Sequence, residues 1–82
     1  MVTVEVLYFA QARERAGCNS ERLELPAGSR VRDALAALEV VHPALEPLWP
    51  SLAVAVNGEL ASADAALPDR AELALLPPVS GG

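Results

Sequence analysis

The sequence predicts an α+β fold in which a mixed sheet packs against one main helix. Short apolar stretches with β-strand character or period-two alternation recur at both ends of the chain, in VTVEVLYFA (2–10), ERLELP (21–26), SLAVAVNGEL (51–60) and ELALL (72–76). Between them lies a single stripe at helical spacing, Val31, Ala34, Leu35 and Leu38. The whole chain is 82 residues, enough for one small domain.

Taken in order, residues 2–10 are β-branched and aromatic and form the first strand. QARERAG (11–17) is a short helical turn closed by Gly17. In 21–26, Leu23 and Leu25 share a face and Glu21, Arg22 and Glu24 are assigned to water, so this strand is half-buried and pairs with the first through a long connection. PAGS supplies a turn, and Ser29 is the expected N-cap of a helix beginning near Arg30. His42-Pro43 ends that helix, because the residue before proline is pushed out of helical backbone space. Residues 43–51 carry three prolines and read as an irregular connection or a short helical turn. Asn57-Gly58 is a type I′ hairpin signal, 61–71 is a small-residue loop, and 72–76 is the last strand. One amphipathic helix across such a sheet is an arrangement of the β-grasp, ubiquitin-like type. The expected division is a domain over 1–76 and an extended, flexible Gly-Gly tail over 77–82 that departs from a rigid edge of the sheet.

Composition narrows the function. The chain is 52% apolar with few aromatics, and a domain this small buries only about 60–65% of its unfolded surface. Little volume is left for a deep pocket. A net charge of −5 argues against nucleic acid and against an anionic membrane surface. All six basic residues are arginine, so no side-chain amine is present for a Schiff base or an isopeptide bond. One cysteine, Cys18, excludes an internal disulfide, and the expected location is the cytoplasm. No secretory leader or membrane-length apolar run is expected.

Chemistry from side chains is sparse. His42, the single imidazole, reads as a helix-end or surface residue with no orienting carboxylate. Cys18 has Glu21 nearby, which raises a thiol pKa. No metal-ligand spacing and no phosphate-binding glycine motif is visible, so no cofactor is expected on this chain. The carboxyl terminus is what remains. Pro77 and Pro78 favour an extended backbone, and six residues reach at most about 20 Å at ~3.3 Å each. Val79 suits an apolar pocket and Ser80 a hydrogen bond, while Gly81 and Gly82 suit a channel too narrow for a side chain. Nothing charged lies between Glu72 and the terminal carboxylate, which lowers the desolvation cost of insertion.

LYFAQARERAG (7–17) and LLPPVSGG (75–82), with VRDALAAL and AVNGEL between them, resemble the small sulfur-carrier subunit of molybdopterin synthase, over the whole chain. That resemblance implies that an E1-like adenylyltransferase activates Gly82 with ATP and that a sulfurtransferase converts it to a thiocarboxylate. It implies a large catalytic subunit that holds the catalytic side chains and receives the tail through Leu75, Leu76, Pro77, Pro78, Val79, Ser80 and Gly81. There the sulfur attacks a pterin precursor, and two transfers build the dithiolene within a heterotetramer. Carriers for thiamine, transfer-RNA thiolation or cysteine synthesis share the Gly-Gly end, as do ubiquitin-like protein modifiers. The blandest alternative is an interaction module whose Gly-Gly end is accidental. The chain departs from the family pattern at Arg70, where an Asp-Gly-Asp-Glu-Val-like turn carries glycine, and at Leu75-Leu76, where the pattern carries aromatics.

Overall fold

Alternation in the first strand sorts the sheet into two faces. In β1 (Val2–Tyr8), Val2, Val4, Val6 and Tyr8 are buried and the residues between them are half-exposed. The computed structural model describes residues 1–77. After β1 come α1 (Ala10–Ala16), β2 (Ser20–Leu25), α2 (Val31–Val41), a 3₁₀ segment (Pro43–Ser51), β3 (Ala53–Val56), β4 (Glu59–Leu60) and β5 (Ala71–Leu76). The strands form one sheet in the order β2-β1-β5-β3-β4.

The sheet is mixed. β1 runs antiparallel to β2, with Val4 opposite Leu23, and parallel to β5, with Tyr8 opposite Leu75. β5 runs antiparallel to β3. A parallel pair needs a long crossover, and α2 lies within it. The predicted β-grasp arrangement is therefore present, with one correction. β5 is the central strand, paired on both sides, so the chain beyond it leaves from the middle of the sheet and not from an edge.

α2 buries Val31, Ala34 and Leu38 completely, with Leu35 packed at their margin. Its start differs from expectation. Arg30 is the N-cap, and Asp33 Oδ2 accepts the Arg30 N–H at 2.8 Å. Ser29 turns away to close the preceding turn, its hydroxyl donating to the Pro26 carbonyl at 2.7 Å. The first free N–H groups of the helix, from Val31 and Arg32, donate to the carbonyls of Ala65 and Ala63, both at 2.9 Å. A distant loop thus does what the local serine was expected to do. That loop also buries Leu67 in the core, which its small-residue composition concealed.

Other local signals hold. Gly17 ends α1 in the left-handed region at φ 80° and donates to the Arg13 carbonyl. Asn57 and Gly58 both have positive φ, at 51° and 85°, as a type I′ turn requires. Residues 43–51 take the helical alternative. The first strand stops at Tyr8, two residues short of expectation, because Ala10 already begins α1.

Arg70 sits at φ 64°, so the turn into β5 keeps a left-handed backbone where the family pattern has glycine. Its N–H donates to the Thr3 carbonyl at 2.7 Å, and Asp69 Oδ1 accepts the Thr3 N–H at 2.8 Å. The conformation is imposed by pairing to β1. A non-glycine residue there costs about 1–2 kcal/mol, against about 0.5–1 kcal/mol of extra chain entropy for glycine. Arg70→Gly is therefore expected to stabilise the fold by about 0.5–1 kcal/mol, read as a raised urea midpoint at unchanged slope. A lowered midpoint would show that the arginine side chain outweighs the backbone strain.

Candidate functional site

The chemistry predicted for Pro78, Val79, Ser80, Gly81 and Gly82 lies outside the described residues. What the structure shows is the platform they leave from. Leu75 is fully buried in the core, because it shares the inward face with Ala71 and Leu73. Its predicted part in a docking surface is corrected: it anchors β5. Pro77 is also buried. Leu76 is half-exposed on the opposite, helix-free face.

That face has two halves, and the register defines them. Leu7, Ala74, Ala55 and Leu60 lie opposite one another in one row across β1, β5, β3 and β4. Leu76 and Ala53 pair in the next row, toward the end of β5. Leu60 is 77% exposed and Ala53 is exposed, Leu7, Ala74 and Leu76 are half-buried, and Ala55 between them is buried, so the patch is most open along β4 and the start of β3. Farther down, Arg22, Glu5 and Glu72 form a charged row, with Thr3 and Arg70 beside it. The apolar half thus surrounds the exit of β5 and the charged half lies away from it. Leu7, Ala53, Ala55, Leu60 and Ala74 were not singled out in the sequence, because alternation identifies an outward residue but only strand order shows which outward residues are neighbours.

A second cluster lies on the helix side, at the β2 end of the sheet. Glu21 in β2 points inward, not to water, since it has the parity of Leu23 and Leu25. Its Oε1 accepts hydrogen bonds from the Tyr8 hydroxyl and from His42 Nε2. The Tyr8 and His42 rings meet edge to face at 5.6 Å. His42, expected to lack an orienting carboxylate, has one supplied by a strand 21 residues earlier in the chain. It is also the C-cap of α2, where its N–H donates to the Leu38 carbonyl at 2.8 Å. Cys18 is half-buried beside this group. Burial, and then the Glu21 charge, push its thiol up, the direction read from sequence. Burial, followed by the hydrogen bond and charge of Glu21, holds the Tyr8 phenol far above its ordinary value of 10.0.

A single mixed sheet with one main helix, and an apolar face around the exit of its central last strand, is the form of a ubiquitin-like domain. The chain belongs to the ThiS family, which it matches over residues 6–82. It is 41% identical over 81 residues to the molybdopterin synthase sulfur carrier subunit of Chlamydomonas reinhardtii, covering 96% of this chain and 98% of that protein. The crystal structure of SAMP1, small archaeal modifier protein 1, from Haloferax volcanii superposes with a TM-score of 0.89 at 39% identity, over 98% of this chain and 99% of that one. The putative molybdopterin converting factor subunit 1 from Pyrococcus furiosus gives 0.88 at 34% identity, over 96% and 100%.

The Tyr8 environment generates a pH dependence with a definite sign. Its folded pKa is raised, so its contribution is fully present below the unfolded value near 10.0 and is lost as pH rises above it, because the unfolded chain releases the proton first. Cys18 adds a loss of the same sign from its ordinary value of 9.0 upward. No lysine titrates in the same range. Unfolding free energy is expected to fall above pH ~10 by at most about 1.4 kcal/mol per pH unit for the phenol. Tyr8→Phe should remove that part of the slope in denaturant melts compared at several pH values. An identical slope in the variant would show that the phenol is not held neutral by the fold.

Proposed function

We propose that this chain is a sulfur carrier for molybdopterin synthesis, and that Gly82 is the carrying residue. The observation that supports the reading most is a family match that runs through Gly82 itself, in a chain otherwise similar along its length to proteins named for that role. An E1-like adenylyltransferase joins the Gly82 carboxylate to AMP from ATP and releases pyrophosphate. A sulfurtransferase persulfide then attacks the activated carbonyl and AMP leaves. Reductive cleavage of the sulfur–sulfur bond, with a thiol as reductant, frees the thiocarboxylate. A large catalytic subunit supplies the acid, base and cationic groups that act at the thiocarboxylate.

One feature of the geometry supports a docking place for that partner. The apolar half of the open face lies against the end of β5, so a partner that covers Leu7, Leu60 and Leu76 stands where it can receive the residues that follow Pro77. Leu75 takes no direct part. A second reading, a protein modifier joined through Gly82 to a target lysine, is favoured by the likeness to SAMP1. The absence of lysine excludes isopeptide chains of this protein on itself but not single attachment.

The test incubates the full chain with the adenylyltransferase, ATP and the sulfurtransferase, and then takes a mass spectrum of the C-terminal peptide. Replacement of oxygen by sulfur at Gly82, with reaction toward an alkylating agent, is expected, and deletion of Gly82 should abolish it without changing circular dichroism. A plain carboxylate under conditions that load another ThiS-family chain, or a Gly82–lysine bond in the native cell, would reject sulfur carriage. For the docking surface, Leu76→Asp is expected to weaken association with the large subunit about tenfold or more by calorimetry, equivalent to about 1.4 kcal/mol. Unchanged affinity would place the interface elsewhere.

A further inference from the structure

We propose that Cys18, Glu21 and His42 form a zinc site, independent of the chemistry at the tail. One donor atom from each lies within 4.8 Å of the other two. Tetrahedral zinc at ordinary bond lengths holds such atoms about 3.3–3.6 Å apart, so rotamer adjustments on the order of 1 Å close the site. The donor set is selective. A thiolate with an imidazole favours zinc, whereas calcium and magnesium require oxygen ligands throughout. Three protein ligands leave a fourth position for water or an incoming group.

The three residues come from separate, well-held places. Cys18 follows the left-handed Gly17 cap of α1, Glu21 is in register on β2, and His42 is the hydrogen-bonded C-cap of α2. The Tyr8 hydroxyl donates to Glu21 Oε1, which is how outer partners orient metal-binding carboxylates. Charge also balances. A thiolate beside the Glu21 carboxylate places two negative charges in a half-buried site, where the described ion pairs give Glu21 only His42 as partner. A divalent cation neutralises both. On binding, the Cys18 proton is released to solvent and the His42–Glu21 hydrogen bond gives way to two bonds to the ion. The ion then ties the α1–β2 connection, β2 and the end of α2 together at the Tyr8 end of β1.

The experiment titrates the full-length chain with Co²⁺ alone and then displaces it with Zn²⁺, beside Cys18→Ser and His42→Gln, with circular dichroism confirming that each is folded. One ion per chain is expected, with a sulfur-to-cobalt charge-transfer band and the intense visible bands of a tetrahedral ion, both erased by zinc. Each variant should bind at least about tenfold more weakly, and Cys18→Ser should lose the charge-transfer band. Saturating zinc should raise the melting temperature of the parent chain by several degrees and that of the variants by little. A parent chain without the sulfur band overturns the proposal, as does parent-like affinity in either variant. One ion per two chains with a dimer in solution also overturns it, since cysteines of two copies would then share the metal.

Discussion

The parallel pairing of β1 with β5 is the constraint on which the rest of the structure depends. It joins the first strand of the chain to the last, with Val6 opposite Leu73 and Tyr8 opposite Leu75, all buried. Such a pair cannot be closed by a hairpin, so the chain between must cross over, and α2 is where that crossover buries its apolar stripe. With β5 at the centre, β3 and β4 are placed on its far side and β2 on the far side of β1. Two separate sites follow from that one pairing: the apolar rows of the open face and the Tyr8 cluster on the helix side.

Local features were legible in the sequence where one residue carries the signal. Gly17 closing α1, Asn57-Gly58 turning the hairpin and Pro43 stopping α2 each act through their own backbone, and the structure bears each out. What required the fold was whatever depends on a distant partner. Ser29 was the natural cap by type, yet the carbonyls of Ala63 and Ala65 occupy that role from the loop. Glu21 is charged, and was assigned to water on that ground, although its parity with Leu23 already placed it on the inward face. His42 looked alone because its carboxylate lies 21 residues away. In each case residue type was given more weight than strand parity or topology, and topology prevailed.

The same distinction separates Leu75 from Leu76. Adjacent in sequence and identical in chemistry, they face opposite sides of β5, one in the core and one in the open apolar row. A period of two therefore assigns anchoring to the first and exposure to the second. Leucine at 75 therefore fills the core, and leucine at 76 keeps an apolar side chain on the open face.

Both ends of β5 are held from outside the strand. At its start, Arg70 and Asp69 are hydrogen-bonded to Thr3 in β1, and Asn57 in the hairpin turn exchanges two hydrogen bonds with Glu72, each at 2.9 Å. At its end, Leu76 is opposite Ala53, and Pro77 is buried although it follows the last paired residue. A strand fixed at both ends and paired on both sides has little freedom to slide, since a one-residue slip would turn Leu73 and Leu75 out of the core. The point at which the chain leaves the sheet is thus set by the whole domain. For a protein proposed to act through its last residue, this is the contribution of the fold: it carries little of the chemistry and determines where the chemistry begins.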